Sequence, residues 1–547
     1  MDQVAEDLDP NALLLELAEL CQNQELTKMG VAASRGFSRV ARPLEAVLSI
    51  LEGSASSKKP ADFKLRILVE FSRWLQDHPQ VTLASLPEAE AMALRRRALA
   101  QLTERLPGVV GLMVDIYGLK LMERTELTQH VARLQALNLH TVAVVFSVKM
   151  ELQRTLDMEE MCVPLLLQDK VTVAESFVSG HPDLEVRLVS LLDSWCDPGF
   201  TPDTVTRLYP GLARNQFQRD QLRPKILSKH VFRLMGRFNV NPARCHNSIH
   251  MRKKGTLKFL MERYLRKDMN VENWRDHTKA IIVDDPEMQT YLEAILPNYC
   301  RAKLIGQLTR TFREGPDAQQ CSLNDTPQSA EWTAPTSRRF HQPALRRDQV
   351  HILDSPEALD GCRDLLFKAG GTVGVDMEWR SGFGCMVPQR VALIQLAVQD
   401  RVFILDMCSP GLWQHPDTLA FMRALLCDTT VRKLGYDLGG DLKYLQTTWS
   451  LPQPLKTARV LDLHTVHQEM KRVRSKGWVE KGLSQLVQHV LGKPLDKTEQ
   501  LSYWERRPLH SSQLRYAATD AFCLLEVYSE VSREPARYGL TSDKLAA

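Results

Sequence analysis

The sequence predicts an all-helical, solenoid-like array followed by an α/β domain built on a mixed sheet. Apolar residues recur at helical spacing in the N-terminal part, and apolar strands alternate with amphipathic helices from Val350 onward. A stretch rich in Pro, Gly, Ser and Asn separates these two patterns. At 547 residues the chain is too long for one hydrophobic core. We therefore predict a helical domain over 1–312, a flexible linker over 313–348, an α/β domain over 349–534 and a tail over 535–547.

The helical array is predicted from apolar residues that share one face of successive helices. Two examples are the sets Phe63, Ile67, Phe71, Trp74 and Leu75, and Leu127, Val131, Leu134 and Leu137. Pro-Gly breaks at 107–108 and 198–199 separate such segments, and strand-like alternation is scarce. Antiparallel helical hairpins stacked side by side fit this pattern. No fixed repeat period is visible, so the sequence does not indicate a particular repeat family.

The α/β part is predicted from runs of β-branched and apolar residues between helical patterns. Strands are expected at Thr372–Glu378, Val391–Val398, Val402–Asp406 and Val431–Gly435. Helices are expected at Pro356–Ala369, Leu412–Cys427, Gly440–Thr447, Gly482–Leu491 and Ser511–Ser532. The first three strands follow one another in hairpin order and the later elements alternate. This order favours a mixed sheet with helices on both faces.

Composition excludes several classes of protein. No apolar run approaches the roughly 18–20 residues that span a bilayer, and no N-terminal stretch has the pattern of a secretory signal. The 11 cysteines contain no Cys-x-x-Cys pair, which is typical of reduced thiols in an intracellular protein. A net charge of +4 does not by itself indicate nucleic acid. We expect a soluble protein of the cytoplasm or nucleus with no membrane partner.

Two carboxylates end a strand that is otherwise small and apolar. Asp376 and Glu378 lie in the run Gly-Thr-Val-Gly-Val-Asp-Met-Glu-Trp, residues 371–379. Residues i and i+2 of a strand point to the same face, so both acids project together. Charge at the end of a buried strand is costly. A divalent cation compensates such charge well.

Further acids follow later in the α/β part. Asp520 lies four residues after Tyr516 in a helical pattern, so both side chains share one helix face. Asp441 opens another helix after the pair Gly439-Gly440. Each acid alone is usually a helix cap or a solvated charge. Together, in this order and in one α/β region, they indicate a functional site.

The order of Asp376, Glu378, Asp441 and Asp520 resembles the DEDD superfamily of 3′–5′ exonucleases. One branch of that superfamily has a histidine five residues before the last acid, where this chain has Arg515. The DEDDy branch has a tyrosine four residues before it, where this chain has Tyr516. The resemblance therefore points to the DEDDy branch.

Other short sequence segments extend the resemblance over about 350–532. The segments Lys481–Leu483, Leu491–Leu495 and Trp504–Leu509 look like ribonuclease D and the Werner-type exonuclease domains. The resemblance implies a ribonuclease H-like mixed sheet. We interpret Trp504 and Arg507 as residues that brace the loop before the last helix, with direct substrate contact as the less favoured alternative.

The helical part has a weaker resemblance to the Mut-seven-type exonuclease homologues. It is carried by the segments Pro164–Lys170 and Leu192–Cys196. Those proteins are linked to small-RNA and transposon-silencing pathways in some lineages. They commonly carry a further domain after the exonuclease, which we expect this sequence, ending at Ala547, to lack.

The resemblance implies a metal-dependent 3′–5′ exonuclease that hydrolyses RNA or single-stranded DNA. Two Mg²⁺ or Mn²⁺ ions about 3.5–4 Å apart would hold the attacking and leaving oxygens. Asp376 would bridge both ions, and Glu378 and Asp520 would complete the site of the attacking water. Asp441 would support the second ion, and the Tyr516 hydroxyl would orient the water.

Basic residues near the motifs are candidate contacts for the nucleic-acid backbone. They are Lys471, Arg472, Arg474 and Lys476, between the second and third motifs, and Lys433 and Lys443, which flank the second motif. An ordinary solvated surface is the alternative for all of them.

A different class of function is also open at this point. In it the chain is an adaptor that binds nucleic acid with little turnover, while the helical array recruits a protein partner. The presence of the four acids and of Tyr516 disfavours an inactive nuclease. The helical array is a candidate site for a protein partner in either case.

Overall fold

The computed structural model describes residues 8–54, 60–102, 107–208, 210, 217–299, 339–380, 389–473 and 482–545. It divides into two compact units, Met1–Ile249 and His250–Ala547. This division lies before the domain boundary predicted at residue 312, so the second unit contains helices that precede the sheet. Most of the predicted linker, up to residue 338, lies outside the described residues.

The first unit is built from helices. Their bounds are α1 (Pro10–Gln22), α2 (Leu26–Phe37), α3 (Pro43–Gly53), α4 (Pro60–Asp77), α5 (Glu88–Ala100), α6 (Pro107–Tyr117), α7 (Arg124–Ala136), α8 (His140–Lys149), α9 (Met158–Leu167), α10 (Val171–Val178), α11 (Pro182–Ser194), α12 (Pro202–Thr206) and α13 (Pro224–Arg237). Helices adjacent in the chain pack on one another, as α1 does on α2 and α9 on α10. The predicted array of helical hairpins is confirmed.

Capping residues explain where several of these helices begin and end. The carboxylate of Asp157 accepts hydrogen bonds from the backbone N–H groups of Glu159 and Glu160, at 2.8 and 3.0 Å, and so starts α9. Asn138 after α7 and Asp169 after α9 have positive φ angles of 57°. Asn and Asp tolerate this left-handed conformation, which ends a helix.

The predicted apolar faces are buried except at Leu75, which is partly buried, and Leu137, which is exposed. Phe71 and Trp74 stack with ring centroids 5.8 Å apart and are buried. Leu127, on α7, is also buried, whereas Leu137 is 52% exposed. The reason is that α7 ends at Ala136, so Leu137 no longer follows the helical face.

The second unit combines helices with a six-stranded sheet. Its helices are α14 (from His246 to Leu265), α15 (Val271–Ile282), α16 (Pro286–Tyr299), α17 (Pro356–Leu366), α18 (Pro410–Trp413), α19 (Pro416–Cys427), α20 (Leu438–Thr448), α21 (Leu463–Val473), α22 (Leu483–Leu491) and α23 (Ser511–Arg533). Its strands are β1 (Val350–Leu353), β2 (Thr372–Trp379), β3 (Val391–Val398), β4 (Arg401–Asp406), β5 (Arg432–Gly435) and β6 (Val460–Asp462).

The sheet is mixed, as the sequence predicts. Its strand order is β1-β4-β3-β2-β5-β6. Strands β2, β3 and β4 form an antiparallel meander, and β5 adds to β2 in parallel. Strands β1 and β6 are the edges, parallel to β4 and β5 respectively. The central position of β2 places the end that carries Asp376 and Glu378 inside the domain.

Two short strands and one helix of the α/β part are missing from the prediction. Strands β1 and β6 have four and three residues, too few to show an alternating pattern. Helix α21 follows β6 directly and consists mostly of polar residues, so its apolar face is not evident from the sequence. The helix predicted at Leu412–Cys427 is two helices, α18 and α19, because Pro416 starts a new one.

The two faces of the sheet pack against different helices. Val373, Val375 and Met377 of β2 belong to a core with residues of α17, α19 and α20. The opposite face packs against α23. None of the helices among the described residues combines the length and the apolar character that crossing a membrane requires.

Candidate active site

Strand β2 presents two carboxylates to the face of the sheet that carries α23. Asp376 and Glu378 alternate with Val375 and Met377, which lie in the core on the other side. Asp376 is partly buried and Glu378 is buried, with 9% of its surface exposed. The predicted shared orientation of the two acids follows from the observed strand.

Helix α23 brings a third carboxylate and a tyrosine to the same place. Asp520 and Tyr516 lie one turn apart on α23 and are both buried. The helix passes very close to β2 at Gly374, where a Cβ atom would lie 2.5 Å from the carbonyl oxygen of Ala521. Only glycine fits so close an approach of two backbones.

Three carboxylates meet in one cluster. Oxygen atoms of Asp376, Glu378 and Asp520 all lie within 4.8 Å of one another. Asp441, buried at the start of α20, is outside this set of mutual distances. Its charge nevertheless acts on the cluster. Asp441 helps to raise the pKa of Glu378, and Asp376 in turn helps to raise the pKa of Asp441.

The acids lack sufficient positive charge around them. Burial, and then the charge of Asp520, raises the pKa of Asp376 to about 7. Burial and the neighbouring Asp376 raise the pKa of Glu378 well above its usual value. Burial, then Asp376, raises the pKa of Asp441 to about 8. A set of close, buried carboxylate oxygens fits a hard divalent cation such as Mg²⁺ or Mn²⁺, which would relieve this repulsion.

Lys497 is a member of this site that sequence reasoning missed. Its ammonium group lies 2.8 Å from Oδ2 of Asp520 and donates to the Tyr516 hydroxyl at 3.3 Å. It also lies 5.1 Å from the centre of the Tyr516 ring. Burial lowers the pKa of Lys497, but Asp520 and Asp376 together with Cys523 raise it, and the net shift is upward. Lys497 comes from an irregular segment and belongs to none of the acidic motifs, so no spacing rule points to it.

Tyr516 keeps its proton at neutral pH. Burial, followed by the charges of Asp520 and Glu378, raises the pKa of its hydroxyl well above the usual value. A protonated phenol donates one hydrogen bond and accepts others. Tyr516 can therefore orient a water molecule beside the acids but is unsuited to remove a proton from it.

The bracing role predicted for Trp504 and Arg507 is confirmed. The Arg507 guanidinium makes a two-pronged ion pair with the carboxylate of Asp406 at the end of β4, and donates to the Trp504 carbonyl oxygen at 2.8 Å. Trp504 is buried, with its ring 5.8 Å from that of Tyr516. These contacts fix the segment before α23 to the sheet.

The structure rejects one predicted phosphate contact and leaves others in place. Lys433 is 0% exposed, and its ammonium group donates to the carbonyl oxygens of Asp428 and Val431. The prediction that Lys433 binds nucleic acid is therefore wrong, because this position of β5 is buried inside the protein. Lys443 on α20 is exposed.

The second basic cluster is only partly described. Arg472 is exposed at the end of α21 and pairs with Glu469, while Lys471 is half-buried. Arg474 and Lys476 lie outside the described residues. A role for these side chains in binding nucleic acid stays a prediction.

Comparison with known proteins assigns the domain that carries this cluster. Residues 350–534 match the family model described as 3′-5′ exonuclease. These residues are therefore similar to 3′–5′ exonuclease domains. The match contains all four predicted acids and Tyr516, and the mixed sheet of the exonuclease domain has the predicted ribonuclease H-like class of fold.

The similarity to curated proteins extends beyond the exonuclease domain. The chain is 35% identical to the exonuclease mut-7 homolog of Homo sapiens over 98% of this chain and 64% of that protein. It is 29% identical to the exonuclease mut-7 homolog of Aedes aegypti over 71% of this chain and 57% of that protein. The chain thus spans about three fifths of the length of these relatives.

A third relative matches a shorter part of the chain. Ribonuclease D of Xanthomonas oryzae is 31% identical over 26% of this chain and 36% of that protein. The sequence-based resemblance to the Mut-seven-type homologues and to ribonuclease D is confirmed by these three matches.

Proposed function

We propose that this protein removes nucleotides one at a time from the 3′ end of RNA or single-stranded DNA. The observation that carries the proposal is the cluster of Asp376, Glu378 and Asp520, whose oxygens lie within 4.8 Å of one another inside a 3′–5′ exonuclease domain. Asp441 and Tyr516 adjoin the cluster. Hydrolysis would join a water oxygen to phosphorus and break the bond to O3′, releasing a nucleoside 5′-monophosphate.

The acids have the chemistry to hold two Mg²⁺ or Mn²⁺ ions. Such ions, when bound, stabilise the negative charge that develops on the phosphoryl oxygens. Asp376, Glu378 and Asp520 would be the main ligands, with Asp441 as a supporting one. The choice of Mg²⁺ or Mn²⁺ rests on the oxygen-only donor set, which hard cations prefer.

The protein groups around the acids have separate tasks in this proposal. The Tyr516 hydroxyl stays protonated and orients the attacking water. Burial of the acids limits competing solvent and strengthens electrostatic interactions at the site. Lys443 and the described members of the basic cluster, Lys471 and Arg472, would contact the phosphate backbone outside the site.

A labelled-strand assay tests the proposal. RNA and DNA oligonucleotides of the same sequence, labelled at the 5′ end, are incubated with the protein and Mg²⁺, Mn²⁺, Ca²⁺ or a chelator. We expect a ladder of products shortened from the 3′ end with Mg²⁺ or Mn²⁺, binding without cutting in Ca²⁺, and no products with the chelator. Comparison of the two strands identifies the preferred sugar, because only RNA offers a 2′-hydroxyl.

Asp376→Ala is the control for the origin of the activity. Its loss of a central metal ligand should abolish the ladder without loss of the fold. Normal shortening by this variant would contradict the assignment of the site. Strands that stay bound but intact with the wild-type protein and Mg²⁺ or Mn²⁺ would instead support the adaptor function.

The domain boundaries at 312 and 534, the compartment and a protein partner for the helical array stay predictions. Cytoplasm or nucleus is the location expected for a nuclease whose described cysteines are free thiols. Cell fractionation of the tagged protein would test the compartment. Affinity capture with the helical part as bait and the exonuclease domain as control would test for a protein partner.

A further inference from the structure

A turn-rich segment carries Lys497 to the acidic cluster. Residues 495–503 connect α22 to the segment before α23 without forming a helix or strand. The Asp496 carboxylate accepts a hydrogen bond from Thr498 N at 3.0 Å, and Gln500 N donates to the Lys497 carbonyl oxygen at 3.2 Å. Turns of this kind lack the repeated hydrogen bonds of regular structure, so contacts from outside must fix their position.

Helix α15 supplies such contacts through a buried carboxylate. Glu499, 6% exposed, accepts hydrogen bonds from Nδ2 of Asn270 at 3.0 Å and from Nδ2 of Asn273 at 2.7 Å. Both asparagines lie at the N-terminal end of α15, where the partial positive charge of the helix favours a carboxylate. Asn270 also caps the helix, because its side-chain oxygen accepts from Asn273 N at 2.8 Å.

Further along the segment, the same helix makes two more contacts. Nε2 of His277 lies 2.7 Å from the Leu501 carbonyl oxygen. The Asp276 carboxylate accepts from Arg506 at 2.6 Å. Helix α15 therefore contacts the segment at Glu499 and Leu501, and contacts Arg506 shortly after it.

We propose that Asn273 is a positioning residue of the exonuclease site, which acts through Glu499 to hold Lys497 beside Asp520 and Tyr516. Glu499 and Lys497 are two residues apart, so their Cα atoms are separated by about 7 Å at most. A shift of Glu499 is therefore passed to the Lys497 backbone. In this inference, which rests on the proposed function, α15 helps to position the ammonium group of Lys497 next to the metal ligands.

Mn²⁺ titration of the full chain by calorimetry tests the inference without relying on turnover. Lys497→Met removes an ammonium group that competes for Asp520, and should lower the Mn²⁺ Kd about tenfold. Asn273→Ala should lower the Kd in the same direction by a smaller factor. In the double variant, Asn273→Ala should add nothing to Lys497→Met, because residues that act through one another are not additive.

Thr278→Ala is the matched control for a general effect on α15. Thr278 is buried in the same helix, and its hydroxyl has no hydrogen-bond partner among the described residues. This variant should leave the Mn²⁺ Kd at the wild-type value. Amide hydrogen exchange of residues 495–503 should be faster in Asn273→Ala than in Thr278→Ala. If Asn273→Ala does not fold, Glu499→Gln, which keeps the side-chain shape, takes its place.

Three results would overturn the inference. They are an unchanged Kd in Lys497→Met, equal Kd values for Asn273→Ala and Thr278→Ala, and an Asn273→Ala effect of the same size with and without Lys497. The expected pattern of Kd values in a protein that does not shorten nucleic acid would support the inference while the proposed function fails.

Discussion

The backbone of α23 lies against β2 at Gly374 and Ala521, so close that a Cβ on Gly374 would be 2.5 Å from the Ala521 carbonyl oxygen. Ala521 follows Asp520 in the helix, and Gly374 precedes Asp376 by two residues in the strand. The approach of these two backbones therefore sets the distance between carboxylates that are far apart in sequence. This contact also explains a glycine in the interior of a central strand, where glycine is otherwise unfavourable.

Replacing Gly374 by alanine should separate the acids. The added Cβ would force α23 away from β2, since a backbone carbonyl cannot move aside cheaply. We expect exonuclease turnover to fall by about 100-fold, the effect of a misplacement of about 1 Å. Turnover of a labelled strand with Mg²⁺ measures this. Gly361→Ala is the control, because Gly361 lies in α17 with open space around its Cα. That variant should keep full activity and gain about 0.5–1 kcal/mol of stability.

Tyr516→Phe should slow hydrolysis while leaving the fold intact. The change removes the hydroxyl that contacts Lys497 and is placed to orient water. A single-turnover rate about 10²–10⁴-fold below the wild type is expected. Tyr528→Phe, on the same helix and half-buried, should react at the wild-type rate. Equal rates for Tyr516→Phe and the wild type would remove Tyr516 from the mechanism.

Asp376→Asn should stabilise the metal-free protein at pH 8. The pKa of Asp376 in the folded protein is about 7, above its ordinary 3.8. The folded state therefore holds the proton more tightly than the unfolded chain, and stability falls as the pH rises from about 4 to about 7. Removing the charge should raise the free energy of unfolding by about 1–4 kcal/mol at pH 8. Denaturant unfolding without metal measures this.

The same variant should lose the stabilisation that metal gives. Saturating Mg²⁺ is expected to raise the melting temperature of the wild type and not that of Asp376→Asn. Below about pH 3, where the wild-type carboxylate is largely protonated in both states, the two metal-free proteins should be nearly equally stable. A wild type that is more stable than the variant at pH 8 without metal would contradict the raised pKa.

Divalent-metal affinity should increase with pH between 6 and 9. Asp376, with a pKa of about 7, and Asp441, with a pKa of about 8, must lose their protons to bind a cation. Each released proton tightens binding up to about tenfold per pH unit below its pKa. Calorimetry with Mn²⁺ in buffers of different ionisation enthalpy counts the protons. In Asp441→Asn the increase near pH 8 should disappear, and a Kd constant over this range in the wild type would refute the prediction.

Substitution of Lys443 should weaken nucleic-acid binding, whereas substitution of Lys433 should lower the stability of the fold. Lys443→Ala removes an exposed charge and should weaken binding of a single strand in Ca²⁺, with a salt dependence lower by about one unit. Lys433→Met removes two buried hydrogen bonds and should lower the free energy of unfolding by about 1–3 kcal/mol without changing that affinity. Fluorescence anisotropy against salt, with denaturant unfolding in parallel, separates the two effects. A salt dependence unchanged in Lys443→Ala would exclude the phosphate contact.

Sequence patterns identify the longer elements of the sheet domain and the acids of the site. The alternation along residues 372–379 fixes which side chains of β2 share a face, and the four-residue spacing of Tyr516 and Asp520 does the same for α23. Strand β1, with four residues, is too short for such a pattern. Lys433 was wrongly predicted to be a surface residue, because the sequence of a short strand does not indicate whether a lysine faces solvent or the core.

The sequence by itself determined that this chain has a helical array and an α/β domain similar to 3′–5′ exonucleases. It also pointed to Asp376, Glu378 and Asp520, which the structure brings together, because periodicity and motif order are local properties of a chain. Only the tertiary structure decided that Lys497 lies beside Asp520, that Glu499 is held by Asn273, and that Gly374 sets the approach of α23. These are contacts between residues distant in sequence, and their formation depends on how whole elements pack. The spacing of residues along the sequence does not reveal how these elements pack.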